Sequence, residues 1–350
     1  MKLVIQIPCW NEEQTIADMI HSIPSSIDGV DEIEIFVVDD GSTDDTVQKA
    51  REAGASKVIS LPRHKGLASA FTWGVEEAYN CDADILVNTD ADMQYGAESI
   101  VDLIRPVVEN RADMVIGDRL SAKPPPFSPV KMLLQKAGSA VVRFFSGTYV
   151  KDAASGFRAF SREAIKELVI HDKFSYTMES IFLAGAKRLR IVNVPIKINA
   201  VTRKSRLFKS VGQYIRRSAQ TILRIYLMYH PLRFFVSVGL LFLAGALVLG
   251  IRYLLFFFEG EGSGHVQSLI LLVVLSIIGI QSIIVGFVAD VVAANRRLLE
   301  EIRVRQMEAK NDERALGLYR ACPCDVCFRR IDASYHHQMV SLRYHNNLDA

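Results

Sequence analysis

Apolar and polar positions alternate between two patterns along the first half of the chain. Leu3-Val4-Ile5-Gln6-Ile7 is a short apolar run that predicts a buried strand, Glu13–Ser25 a helix, Ile33–Val38 a second strand and Thr43–Ala55 a second helix. Lys57–Leu61, Ile85–Asn88 and Met114–Ile116 read as further short strands, with helices predicted over Ala68–Tyr79 and Ala97–Glu109 between them. Strand and helix in alternation predict an α/β domain: a mostly parallel sheet with helices on both faces. In such sheets ligands sit beyond the carboxyl ends of the strands, so the residues just after each strand carry the chemistry.

The second half follows another rule. Phe234–Ile251 is 18 residues without a charge, resumed after Arg252 by Tyr253–Phe258, and Val266–Ala289 gives 24 more. At a helical rise of about 1.5 Å per residue, each stretch matches a hydrocarbon core of about 30 Å. The pattern predicts a transmembrane hairpin with spans at about 232–258 and 266–290. The connection 259–265 holds two Glu and no Lys or Arg, whereas basic residues crowd before Phe234 and after Ala289. By the positive-inside tendency, both ends of the chain are expected in the cytoplasm. Arg252 is placed to snorkel to the headgroups.

Charge sharpens the division. The 350 residues carry a formal net charge of only +2, but residues 1–186 hold 18 Lys/Arg against 28 Asp/Glu, residues 187–258 hold 13 Lys/Arg and no acid, and residues 259–350 hold 10 against 11. A basic block followed at once by a membrane segment points to anionic lipid rather than nucleic acid. With 50% hydrophobic residues a disordered polymer is excluded. Five cysteines are too few for a disulfide scaffold and suggest a reducing compartment. Met1-Lys2 runs straight into the first strand, so no secretory signal is predicted.

The predicted strand ends are acidic or sharply turned. Strand one runs into Pro8-Cys9-Trp10-Asn11-Glu12, the second into Asp39-Asp40-Gly41-Ser42, the fourth into Asp90-Ala91-Asp92-Met93-Gln94 and the fifth into Gly117-Asp118-Arg119. No Gly-x-Gly-x-x-Gly follows strand one and there is no P-loop Lys, so dinucleotide and P-loop nucleotide binding are unsupported. Asp90 and Asp92, two apart, put both carboxylates on one side of an extended segment. Hard oxygen ligands of this kind suit Mg²⁺ or Mn²⁺ and phosphate, although a solvated acidic loop would present the same pair. Asp39 and Asp40 are placed to accept hydrogen bonds from a ribose or a base imide, or to cap the following helix, as Ser42 and Asp44 are too.

In these motifs the chain resembles the family 2 inverting glycosyltransferases of GT-A fold, and more narrowly their membrane-bound polyprenyl-phosphate (dolichyl- or undecaprenyl-phosphate) subgroup. The carriers are Pro8–Glu13, Asp39–Asp44, Asp90–Gln94, Gly117–Arg119, Ser155-Gly156-Phe157-Arg158 and the basic run from Arg203 to Lys209, covering about residues 3–230. The resemblance implies that Pro8, Trp10, Glu12 and Asp39 or Asp40 line a nucleoside pocket. It implies that Asp90, Ala91, Asp92 and Gln94 hold the diphosphate, with Asp90, Asp92 and Gln94 as metal ligands. Arg119 would help to bind phosphate. Two positions depart from the family pattern. His64 stands where many relatives have Asn, and Gly156 where some carry an acid beside the Phe-Arg pair; Asp152 is the nearest acid to that position.

A lipid monophosphate has its second pKa near about 6, so an acceptor of that kind reaches the enzyme already charged and needs little general base. Cations must then relieve the repulsion between two anions. Arg203, Arg206 and Lys209 lie just before the membrane and are the expected acceptor-phosphate ligands, the arginines offering a fork that fits phosphate oxygens. Residues 207–229 alternate apolar and basic positions as interface helices do. The expected organisation is a catalytic domain at 1–200, basic amphipathic interface helices at 201–230, the hairpin at 231–292 and a cytoplasmic tail at 293–350. Ala289–Arg320 is suited to a helix for self-association, and Cys322, Cys324 and Cys327 with His336-His337 are an irregular zinc-like set. The expected reaction moves one sugar, with inversion, from a UDP- or GDP-sugar to polyprenyl phosphate at the cytoplasmic face, with Asp90, Asp92, Arg119 and Asp152 as catalytic candidates and Mg²⁺ or Mn²⁺ as cofactor. A glycolipid synthase acting on a lipid hydroxyl and a non-catalytic membrane scaffold are the competing readings.

Overall fold

The structure, a computed structural model, describes residues 1–315 apart from Ala97 and the segments 123–128, 171–175, 200–210 and 259–265. The expected acceptor ligands Arg203, Arg206 and Lys209 and the cysteine-rich tail lie outside the described residues.

Seven strands form one sheet in the order β3-β2-β1-β4-β6-β5-β7. They are β1 (Lys2–Cys9), β2 (Glu32–Asp39), β3 (Lys57–Ser60), β4 (Ile85–Asn88), β5 (Met114–Asp118), β6 (Arg158–Ser161) and β7 (Ile191–Pro195). Pairings of β1 with β2 and β4, of β2 with β3 and of β5 with β7 are parallel. β6 alone runs against its neighbours β4 and β5. β1 is buried from Leu3 to Cys9, as a near-continuous apolar run in a sheet covered on both faces should be.

Helices α1 (Ile16–Ser22), α2 (Thr46–Glu52), α3 (Leu67–Asn80) and α4 (Ser99–Val108) connect the first five strands. The core on one face joins Ile5, Ile7 and Val87 of the sheet to Ile16 and Met19 of α1 and Ile100 and Leu103 of α4. After β5 come α5 (Pro129–Ser146), α6 (Arg162–Glu167), α7 (Tyr176–Ala186) and α8 (Val211–Tyr229). A polar thread crosses the sheet interior: the Gln6 amide donates to Asn88 Oδ1 at 2.8 Å, and Asn88 Nδ2 donates onward to the Gly156 carbonyl at 2.9 Å.

Two long helices follow, α9 (Pro231–Phe258) and α10 (Val266–Ala315), each with a stretch apolar enough to cross a membrane. They meet where glycine faces glycine. A Cβ on Gly239 would lie 2.7 Å from the Gly279 carbonyl oxygen, and one on Gly279 would lie 2.9 Å from that of Gly239, so neither position admits a side chain at this spacing. Most large apolar side chains of the pair, Leu241, Leu247, Phe258 and Phe287 among them, point outward. Residues 1–298 form one compact unit; residues 299–350 form a second, of which the α10 turns up to Ala315 are described.

Candidate active site

The acids of the first strand ends gather because β1 and β2 run in register, Pro8 opposite Val38 and Cys9 opposite Asp39. The pairing continues beyond the strands, where the Asp40 N–H donates to the Cys9 carbonyl at 2.9 Å. Asp39 accepts the Ser42 N–H at 2.9 Å, closing the Asp-Asp-Gly-Ser turn. Asp40 is buried and accepts the N–H groups of Lys65 and Gly66 at 2.8 and 2.7 Å. Its carboxylate also lies 2.8 Å from His64 Nδ1. A carboxylate at neutral pH only accepts, so this contact places the imidazole proton on Nδ1. The imidazole in turn stacks on Trp10 with ring centroids 4.3 Å apart. His64 therefore belongs to the group at the mouth of β1 and β2, a placement that its loop position did not announce. Glu12 is buried beside it, with its N–H on Thr46 Oγ1 at 2.8 Å.

β4 lies against β1 and delivers the second group. Asp90 is pushed up to about 7, first by burial and then by the nearby negative charge of Asp92; Arg119 and a hydrogen bond from Tyr95 pull the other way. Asp92 accepts the Gln94 N–H at 3.2 Å, and Met93 between them adopts a positive φ of 58°. The backbone of this turn is fastened from outside the motif, since Asn199 donates through its N–H to the Gln94 carbonyl and through Nδ2 to the Met93 carbonyl, both at 2.9 Å. Two carboxylates forced together in this way fit a divalent cation. Among the described residues no three His, Cys, Asp or Glu side chains form a closed cage. Two carboxylates with room for phosphate oxygens is the donor set that Mg²⁺ and related ions take.

Arg119, just past β5, reaches the same edge. Its guanidinium grips Asp152 through Nε and Nη2 at 2.7 and 3.0 Å. Both side chains are buried. Burial works against the charge on Arg119, but Tyr95, Asp152 and Asp90 outweigh it and raise its pKa. Asp152 is thus occupied in holding Arg119. Lys131 at the start of α5 joins this group: burial and the like charge of Arg119 hold its ammonium below the ordinary value. Sequence reasoning passed over Lys131, because no motif surrounds it; only the return of α5 toward Arg119 reveals it.

The antiparallel β6 brings Gly156 to this edge from below. A Cβ at Gly156 would sit 2.8 Å from the Tyr176 hydroxyl and 3.2 Å from Asp90 Oδ2, so the space that an acid would need here is filled by a tyrosine. The Tyr176 hydroxyl accepts from Asn88 Nδ2 at 3.0 Å, and its ring stacks on Phe71 at 4.1 Å. Arg158, fully buried, donates to the carbonyls of Ser155, Thr177 and Ala153 and to Ser180 Oγ at 2.6–3.0 Å. Burial lowers its pKa to about 10, which leaves it charged at neutral pH. It ties the segment bearing Asp152 and Gly156 to α7.

Behind Ala153 and Ala154 opens an apolar cavity of about 430 Å³ between α5, α7 and α8 and the first turn of α9, walled by Leu134, Val142, Met178, Ile222 and Phe234 among others. Gln135 Oε1 and Ser218 Oγ, both in its lining, have no hydrogen-bond partner among the described residues.

An acidic edge on a sheet of this order, with one reversed strand beside β4, defines a glycosyltransferase of GT-A fold. The sequence profile of glycosyl transferase family 2 matches residues 4–169. The UDP-N-acetylglucosamine–dolichyl-phosphate N-acetylglucosaminyltransferase of Methanococcus voltae is 31% identical over 214 residues, which are 55% of this chain and 83% of that protein. The undecaprenyl-phosphate mannosyltransferase of Micrococcus luteus is 29% identical over 56% of this chain and 83% of its own length. The chain belongs to glycosyl transferase family 2. Among solved structures, glucosyl-3-phosphoglycerate synthase from Mycobacterium tuberculosis, crystallised with Mn²⁺, UDP and glucosyl-3-phosphoglycerate, shares the fold with a TM-score of 0.50 at 24% identity, over 65% of this chain and 78% of that one.

Proposed function

We propose that this enzyme transfers one sugar from a UDP- or GDP-sugar to the phosphate of a polyprenyl phosphate at the cytoplasmic face of a membrane, with inversion. One observation carries the reading: the Asp90–Asp92 pair and the Arg119–Asp152 pair share one edge, and an apolar cavity opens directly behind the segment that holds Asp152. A reaction between two anions, one of them attached to a hydrocarbon chain, needs those three features side by side. The relatives' names, each specifying a sugar transfer to dolichyl or undecaprenyl phosphate, support the acceptor class.

In this reading Pro8, Trp10, Glu12, Asp39 and Asp40 bind the nucleoside, with His64 completing the group. Asp90, Asp92 and Gln94, beside Ala91, would hold Mg²⁺ or Mn²⁺, which when bound offsets the charge of the departing diphosphate. Arg119, held in place by Asp152, and Lys131 draw the acceptor phosphate toward the donor, and Arg203, Arg206 and Lys209 are expected to assist from the membrane side. A phosphate oxygen attacks the anomeric carbon on the face opposite the diphosphate. A carbon–oxygen bond to the lipid phosphate forms as that to the nucleoside diphosphate breaks, which inverts the centre. The dianionic nucleophile has no proton to lose, in keeping with a glycine at 156.

The test is to incubate the purified full chain in lipid with labelled UDP- and GDP-sugars, Mg²⁺ and either polyprenyl phosphate or polyprenol. Labelled polyprenyl-phosphate sugar, formed only with the phosphate and lost on adding EDTA, is the expected product. Labelling of the free alcohol or of diacylglycerol alone would overturn the acceptor assignment.

A further inference from the structure

The turn after β4 is held by residues that none of the motifs contains. Beyond β7 the chain passes antiparallel to it: Lys197 Nζ meets Glu98 Oε1 at 3.0 Å, Ile198 bridges Tyr95, and Asn199 closes on Gln94 and Met93. The other end of this strap is fixed to β5. The Ile196 N–H donates to the Asp118 carbonyl at 3.3 Å, and the buried Ile196 side chain packs so closely that a Cβ on Gly117 would stand 2.8 Å from its Cδ1. Tyr95 is buried in turn and stacks on Phe157 with ring centroids 5.0 Å apart. Residues 196–199 thus join the end of β5, next to Arg119, to the turn that carries Asp92.

That turn needs holding for two reasons. Met93 sits at a φ of 58°, a conformation rare for a residue with a side chain. Asp92 also bears on Asp90 with a like charge, which would drive the two carboxylates apart. Within the turn, the Gln94 N–H reaches Asp92 Oδ1 at 3.2 Å, the long end of the hydrogen-bond range. Asn199 supplies two shorter bonds, at 2.9 Å each, to the successive carbonyls of Met93 and Gln94. The one from its side-chain amide fixes the peptide plane that directly follows the left-handed residue. Aspartate and alanine have no side-chain donor to offer there.

We infer that Asn199 is a positioning residue for the divalent cation and the diphosphate: by holding the Met93 carbonyl it keeps the Asp92 carboxylate beside that of Asp90 before any cation arrives. The turn is preorganised, so a cation does not have to draw two like charges together as it binds. This inference rests on the reading of Asp90, Asp92 and Gln94 as cation ligands.

The experiment titrates Mn²⁺ into the detergent-solubilised full chain with UDP or GDP present and follows the electron paramagnetic resonance signal of free Mn²⁺. Asn199→Ala keeps the backbone bond to Gln94 and removes the side-chain bond to Met93. It is expected to weaken Mn²⁺ binding about tenfold, the effect of one well-made hydrogen bond, and to raise the Mn²⁺ concentration for half-maximal transfer by the same factor. The melting temperature in EDTA and KM for polyprenyl phosphate should stay at the parent's values. Adding Met93→Gly to Asn199→Ala should recover about threefold of the lost affinity, because glycine takes a positive φ without steric cost. Parent-like Mn²⁺ affinity in Asn199→Ala would overturn the inference and leave the cation reading standing; a parent that binds no Mn²⁺ with either nucleotide would overturn both. An early-melting Asn199→Ala whose Mn²⁺ affinity Met93→Gly does not restore would make Asn199 a residue of the fold alone and overturn the inference. So would a raised KM for polyprenyl phosphate at unchanged Mn²⁺ affinity, which would assign Asn199 to the basic run that begins four residues later at Arg203.

Discussion

Asp92 is one of the two acids proposed to share a bound cation, and its charge adds to the burial that raises Asp90. Asp92→Asn keeps the turn's shape while removing one charge, and should cut turnover by about 10²-fold or more with thermal stability retained. Parallel initial-rate and melting measurements check this; a variant that melts early would mean that the residue acts through the fold. Gly156 has a different duty. Gly156→Ala should destabilise the protein by about 1–3 kcal/mol and depress activity, since its methyl group would meet the Tyr176 hydroxyl at 2.8 Å. Tyr176→Phe in the same chain removes the obstructing oxygen and should restore part of both, read as melting temperature and specific activity. The position of these acids was legible residue by residue, because they stand directly after strands. The Arg119–Asp152 pair was not, as nothing in a separation of 33 residues signals a bidentate contact.

At the scale of elements, the five strands with helices between them were visible as apolar runs of the right length. β6 and β7 were not. β6 is four residues long and directly abuts α6, too short for its period to register, and its reversal leaves no local trace. β7 is only partly buried, so its apolar character is weak. α5 escaped as well, because apolar residues on both faces blur the helical stripe that marks an ordinary surface helix. What secures β7 is a charge pair at its entry: Arg190 donates to Asp113 at the start of β5 through its backbone N–H and its guanidinium at 2.7–3.1 Å. The hydrogen bond from Arg190 lowers the Asp113 pKa. The native state therefore binds fewer protons than the unfolded chain. The pair's contribution is complete above the ordinary carboxylate value of about 4 and fades as pH falls through the folded value. Asp113→Asn should accordingly melt earlier than the parent at pH 7, with the gap narrowing on acidification; pH-resolved melting curves test it.

For the whole molecule, the decisive sequence signal was the contrast between an acidic front, an acid-free basic middle and two uncharged stretches, which marks a membrane protein with an α/β domain ahead of its apolar helices. Orientation is the prediction that belongs here. With 13 basic and no acidic residues over 187–258 and an acidic connection at 259–265, the connection should face away from the cytoplasm. Ser263→Cys is expected to react with a membrane-impermeant maleimide on intact cells above the parent's background, and Asp28→Cys only after permeabilisation. The opposite pattern would reverse the membrane face assigned to the reaction.

The single reversed strand has a consequence for how such an enzyme can change. β1, β2 and β4 present their last residues to the reaction edge, but β6 presents its first, so everything between β5 and β6 is one excursion that leaves the edge and comes back to it. That excursion carries Arg119, Lys131, the cavity wall of α5 and Asp152, and its two anchor points lie on adjoining strands. If, as proposed, that excursion receives the acceptor, its length and composition can change while the β1–β2 register that gathers the other acids stays as it is. One scaffold of this kind would then take a different acceptor and keep its donor.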